Sequence, residues 1–204
     1  MSYYLDAAKF IAKWEGFSPT AEWDINAYRI GHGSDTITFN DGTYRTVRAG
    51  DTTTRDNAAK DLARRVPEFE KKVKNYIDDY GVTNKMWDDL PDNTKVALLS
   101  FAYNYGNIVK KSIREAIKTG DVNKIADAVD TSTINDMKGT KYYDGLRTRR
   151  LAEAALIRSS KNTSSNDKTD KSDKRFVKNT LIISLILVST YVLVKLYKKD
   201  AIPF

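Results

Sequence analysis

Glu15 is the side chain best suited by type and setting to do chemistry. Cleaving an acetal between two sugars needs a protonated carboxylic acid at the leaving oxygen. It also needs a second group across the ring that stabilises positive charge or directs water. Glu15 suits the first task, because it ends an apolar stretch beside Trp14 and Phe17 and apolar surroundings favour a neutral carboxyl. It reads equally well as a solvated glutamate at a helix C-terminus, where its charge is mildly unfavourable. Asp24, by itself, reads as a turn residue ahead of Asn26. Ser34, Asp35 and Thr36 lie just beyond and could bring a hydroxyl or carboxylate to the same place.

Tyr103 and Asn104 are candidates for substrate contact from a far wall. An amide both donates to and accepts from an acetamido group, and an exposed aromatic ring stacks on a sugar face. The alternative for this pair is packing and capping at a helix end. His32 is the only histidine, and a single histidine without further ligands at short spacing makes no metal site. Gly31 and Gly33 lack the Gly-Lys-Ser/Thr ending and the strand-to-helix context of a phosphate loop. They instead let a hairpin backbone come close to a bound molecule. No cofactor is implied.

The elements that must position these residues are mostly helical. Leu5, Ala8, Ile11 and Trp14–Glu15 follow helical spacing after Ser2 as a cap, which predicts a first helix ending near Gly16. Thr36–Phe39 and Tyr44–Val47 around Asn40-Asp41-Gly42-Thr43 predict a short hairpin. Thr53 or Thr54 caps a helix through Arg65, and Pro67 starts another that runs to Tyr80 before Gly81. Pro91–Thr94 opens an apolar helix, Val96–Tyr103, that stops at Gly106 and is the natural centre of the core. Shorter helices follow at Lys110–Lys118 and Val122–Val129, and a last one at Tyr143–Ile157. The pattern is an α+β, mostly helical domain over 1–158, with a small β-hairpin lobe set after one helix.

Past that domain the composition changes. Residues 159–175 form a polar linker that cannot bury enough surface to order itself. Residues 176–197 hold the uncharged run Asn179–Val194 between Lys178 and Lys195, which reads as one transmembrane helix with Phe176 and Tyr197 at its ends. Residues 198–204 are a short basic tail. The formal charge of +7 divides unevenly: nine basic and four acidic residues follow Arg158, leaving 25 against 23 before it. A nearly neutral domain argues against nucleic acid as a partner, and a lipid bilayer through 176–197 is the partner that the tail predicts. Lysines flank the run on both sides and do not orient it. The absence of cysteine excludes disulfides, thiolate metal sites and a thiol nucleophile. Asp6, Lys9, Lys13 and Glu15 interrupt what would be the apolar core of a cleavable signal at the start.

Four segments, in order, resemble the phage endolysins of the muramidase family: Glu15-Gly16-Phe17 with Asp24, Arg29-Ile30-Gly31-His32-Gly33-Ser34, Phe101–Gly106, and Gly145–Glu153. The resemblance covers about residues 5–157. It implies a lysozyme-like two-lobed fold with a cleft between the lobes, and peptidoglycan as substrate. Glu15 would be the acid and Asp24 its supporting carboxylate. His32, Ser34, Tyr103 and Asn104 would touch substrate, His32 as a structural ring between lobes rather than a catalyst. Arg149 and Arg150 would tie the last helix to the hairpin lobe by charge pairing. The family threonine that helps position water falls on Arg29, or on Ile30 without a gap, and a family tyrosine falls on Glu22. A lytic transglycosylase with a lone acid is therefore the rival enzyme, and a noncatalytic virion membrane protein the rival from another class. The membrane would be that of the virion or the inner membrane of the host, with other virion or lysis proteins as partners.

Overall fold

The apolar helix that the sequence puts at the centre of the core is buried on every face. In the computed structural model, which describes residues 3–132, 139–140 and 142–160, α4 (Asp92–Tyr105) buries each residue from Thr94 to Ala102. It ends at Gly106 with φ 81°, the left-handed conformation that glycine adopts without a Cβ clash. The other helices pack around it. They are α1 (Tyr4–Ala12), α2 (Arg55–Asp78), α3 (Asn84–Asp88), α5 (Lys111–Thr119), α6 (Val122–Thr131) and α7 (Tyr143–Ser159). α1 and α7 lie directly against α4, and α6 against α7. One core holds Ile11, Val66, Ile77, Trp87, Phe101, Ile125 and Ile157 together.

Two expectations are corrected here. Pro67 does not start a new helix; it lies inside the single 24-residue α2. Proline removes one backbone donor, yet the buried stripe Ala58, Leu62, Val66, Val73 and Ile77 continues past it, and that packing keeps the helix intact. Thr54 caps α2 by accepting from the Asn57 amide, as the sequence predicts. At the start of the chain the regular helix stops at Ala12, and Leu5 faces solvent at 51% exposure while Ala7 takes the buried position. Glu15 remains within the last turn, its amide bonded to the Ile11 carbonyl at 3.1 Å. Ser2 lies outside the described residues.

The β lobe consists of two hairpins. The expected one pairs β3 (Thr36–Thr38) with β4 (Tyr44–Thr46) in antiparallel register, Ile37 opposite Arg45. The other pairs β1 (Ser18–Asp24) with β2 (Ala27–Gly31), Trp23 opposite Tyr28, with a register shift between Ser18 and Glu22. β1 has little apolar alternation and was not readable as a strand. It is held from outside: Ala21 donates to the Asp51 carbonyl and Thr53 to the Pro19 carbonyl. Arg45 grips the Asp51 carboxylate with two hydrogen bonds at 2.7 and 2.8 Å and pushes its pKa down to about 2. A satellite core of Ile30, Ile37 and Val47 joins the hairpins.

The chain divides into units at Met1–Thr163 and Ser164–Phe204. Ser159 and Ser160, assigned from sequence to the linker, belong to the first. Asn93 donates to Ser159 Oγ at 3.0 Å, and Ser160 is buried with its hydroxyl 3.2 Å from that of Thr94. The rest of the linker, the apolar run 176–197 and the tail 198–204 lie outside the described residues. Among the described residues no helix is long and apolar enough to cross a membrane.

Candidate active site

Glu15 stands at the mouth of an open groove whose walls are its own loop, Glu15–Pro19, and the first hairpin, including Glu22, Trp23, Asp24 and Arg29 through Gly33. The groove is open to solvent and has a volume of about 640 Å³, within the usual range for ligand sites, roughly 300–1,000 Å³. The glutamate is aimed from behind: Arg149 on α7 donates from Nη1 to Glu15 Oε1 at 2.7 Å. Among the described residues no hydrogen bond reaches Oε2, so that oxygen is the one free to meet a ligand. The sequence reading gave Glu15 an apolar setting, and the structure corrects this, because a guanidinium is its nearest polar neighbour.

Arg149 is itself locked. Its Nη2 donates to the Ser100 carbonyl at 2.9 Å and its Nε to Glu153 Oε1 at 3.2 Å. Ser100 Oγ and Arg150 Nη2 donate to the same Glu153 oxygen at 2.7 and 2.9 Å. Glu153 and Arg150 are fully buried, and the Arg150 guanidinium also lies over the Phe101 ring at 4.5 Å. Burial pushes the Glu153 carboxyl above its ordinary range despite the two arginines. Arg149 thus joins α7 to the acid and to α4. It does not join α7 to the hairpin lobe, as the sequence reading had it.

The glycine run forms the groove floor. Gly31 has φ 64°, and a Cβ there would lie 2.8 Å from the Ala58 Cβ on α2. Only glycine fits both the backbone and the space. Behind it, α2 offers Asp61, a carboxylate 2% exposed. Ser34 donates to it at 2.6 Å, Thr36 at 2.9 Å, Thr38 at 2.8 Å and Arg64 at 2.9 Å. Burial pushes the Asp61 carboxyl up, but these bonds together push it further down, to a value below the ordinary one.

Three expected substrate contacts are corrected by this arrangement. Ser34 is buried and spends its hydroxyl on Asp61, so it does not face the groove. His32, by contrast, lines the groove and is also a packing and pinning residue: it is 8% exposed and its Nδ1 is 2.9 Å from the Gly16 carbonyl. A carbonyl only accepts, so the proton is on Nδ1. Tyr103 donates to the His32 carbonyl at 3.1 Å and packs edge-on against Phe69. It therefore supports the glycine run from beneath and lines the small cavity with Asp61 and Arg65 rather than the groove. Asn104 is exposed on the last turn of α4 and is not among the residues lining the groove.

Asp24 ends β1 and lines the groove with Glu15. Arg29 lines it too, 3.5 Å from Asp35, which also meets Arg65 at 3.3 Å. Asp61 and Trp23 were missed by the sequence reading. A buried acid at the right spacing to stay on the inner face of α2 is a signal for Asp61, since Ala58, Leu62 and Val66 are its helical neighbours. Among the described residues no cluster of potential metal ligands occurs.

The family model for phage lysozymes matches residues 12–153; the chain belongs to that family. No curated relative matches the sequence. Two solved structures are similar. The active form of the P1 phage endolysin Lyz is 19% identical with a TM-score of 0.51, over 79% of this chain and 86% of that one. A P22 lysozyme point mutant is 21% identical with a TM-score of 0.55, over 76% of this chain and 96% of that one. At these identities the likeness concerns the fold, a mostly helical α+β lysozyme-like domain.

Proposed function

We propose that the protein is a glycoside hydrolase that cleaves the aminosugar backbone of peptidoglycan, with Glu15 as the general acid and Asp24 as the supporting carboxylate. The observation that carries this reading is the position of Glu15, which lies on the groove wall opposite a hairpin bearing Asp24, one oxygen held by Arg149 and the other free. Glu15 gives its proton to the glycosidic oxygen as that bond breaks. Asp24 then stabilises the positive charge left on the sugar or takes a proton from the attacking water. Arg149 keeps the acid in line, and His32 and Tyr103 fix the loop across from it. The similar structures, an endolysin and a lysozyme, support the same substrate.

Arg29 supports a second reading. Where the family places a hydroxyl to position water, this chain has a guanidinium tethered to Asp35, so attack by the sugar's own hydroxyl, leaving an anhydro end, is the competing outcome. Mass analysis of sugars released from purified peptidoglycan separates the two. Glu15→Gln, with a wild-type melting profile, should lose about 10²–10⁴-fold in rate; a near wild-type rate refutes the acid.

The reading extends to the C-terminal segment, where 176–197 anchors the enzyme in a bilayer. The argument is compositional: the uncharged run Asn179–Val194 within it has its side chains and backbone satisfied in lipid. Flotation with liposomes should bring up the full chain, whereas residues 1–163 alone should stay in the aqueous layer and still lyse walls. The cut falls after 163 because Ser159 and Ser160 pack on α4.

A further inference from the structure

The groove has one large exposed aromatic residue on its wall. Trp23, directly before Asp24 on β1, is 63% exposed and lines the same groove as Glu15. Large exposed apolar groups are informative when they are fixed in a concave site rather than scattered over a surface. Trp23 is fixed. It sits opposite Tyr28 in the hairpin register, and the two rings meet edge-on with centroids 5.1 Å apart at 77°. Such a contact leaves at least one indole face uncovered by Tyr28. The turn beside it is short: Asp24 pairs with Ala27, and Ile25 closes the loop at φ 50°.

We infer that Trp23 is a stacking platform for a pyranose ring, a specificity-determining contact at the hairpin end of the groove that holds the glycan chain in line with Glu15. This rests on the peptidoglycan reading above. The axial C–H bonds of a sugar ring present an apolar face, and an indole is the side chain with the largest flat surface to cover it. Because the ring is already held by Tyr28, little side-chain freedom is lost when sugar binds. Trp23 acts on binding and takes no part in proton transfer, so its contribution is to KM. A lipid surface is the other partner that an apolar tip with Trp23 and the 90% exposed Ile25 could meet. The flanking acids Glu22 and Asp24 oppose an anionic bilayer, while their hydrogen-bonding capacity suits a polyhydroxylated ligand.

The test compares full-length wild type with Trp23→Ala, Trp23→Phe and Ile25→Asn. Chitotetraose binding is followed by calorimetry and wall lysis by initial rates. Trp23→Ala should bind chitotetraose about tenfold more weakly and raise KM on peptidoglycan by a similar factor, with kcat within about twofold of wild type. Trp23→Phe keeps a ring and should recover most of the loss. Ile25→Asn removes apolar surface at the tip in a conformation asparagine tolerates, and should match wild type. Wild-type lysis with an unchanged KM in Trp23→Ala overturns the platform alone, as does an Ile25→Asn defect equal to that of Trp23→Ala. Absence of lysis by the wild type overturns the peptidoglycan reading and the platform with it.

Discussion

Two buried carboxylates, one on α7 and one on α2, answer to the same physics with opposite results. Glu153, between α4 and α7, faces two arginines and one serine hydroxyl, yet its carboxyl is pushed above the ordinary range because burial outweighs them. Asp61, on α2 beneath the β lobe, accepts from Ser34, Arg64, Thr38 and Thr36, and these outweigh its burial. The difference is how the donors are shared. All three hydrogen bonds to Glu153 converge on Oε1, and among the described residues none reaches Oε2. Donors reach both oxygens of Asp61 and stabilise its charge more fully. The two sites also hold different things. The Glu153 site fixes the acid through Arg149, and the Asp61 site fixes the groove floor through Ser34 and the glycine run. The geometry of the groove therefore depends on two separate polar anchors, one in each lobe.

Breaking the first anchor should have the largest effect. Arg149→Met leaves Glu15 without its guide and Glu153 with only Arg150. Removing one partner of a buried ion pair costs about 3–5 kcal/mol, and a misplaced acid costs about a hundredfold in rate. Arg149→Lys keeps a positive charge but cannot reach Glu15, Ser100 and Glu153 together. It should restore more of the melting temperature than of the wall-lysis rate. Equal recovery of both would mean that Arg149 serves the fold only and does not aim Glu15.

How much of this was legible without coordinates follows the range of the interactions. α4 was readable because its apolar run is continuous, and α5 to α7 because their stripes end at glycine or polar residues. Pro67 misled the reading because a local rule for helix starts competed with a buried stripe that only the packed core can reveal. β1 was not readable, since Ser18–Asp24 is mostly exposed and is held by backbone bonds to a loop some thirty residues further on. At the site, Glu15 was legible from its type and setting and Asp24 from the family resemblance, and both line the groove. Ser34 was misread because its partner Asp61 lies 27 residues away on another element. Arg149 was seen as a charge needing a partner, but the partner was 134 residues distant. Motifs carried the reacting groups, whereas the groups that hold them came from long-range packing.

Breaking the second anchor should cost less, and it should do so in a way that depends on pH. Asp61→Asn keeps the shape but offers one acceptor oxygen where two took hydrogen bonds from Ser34, Thr36, Thr38 and Arg64. The amide's own N–H groups then face hydroxyls that must rotate to accept, and Arg64 loses its counter-charge. The expected loss is about 1–3 kcal/mol at pH 7. The carboxyl is lowered in the fold relative to an unfolded aspartate, whose ordinary value is about 3.9. Its stabilisation is therefore fully present above that value and disappears as pH falls through the lower folded value. Glu153 runs the other way: its raised carboxyl contributes stability at low pH that is lost as pH rises from about 4.3. Melting temperatures of wild type and Asp61→Asn from pH 2 to 7 should accordingly differ most at neutral pH and converge below pH 4, with the variant flatter on the acid side. A constant difference over the whole range would show that Asp61 stabilises the lobe by shape alone and not as a charge.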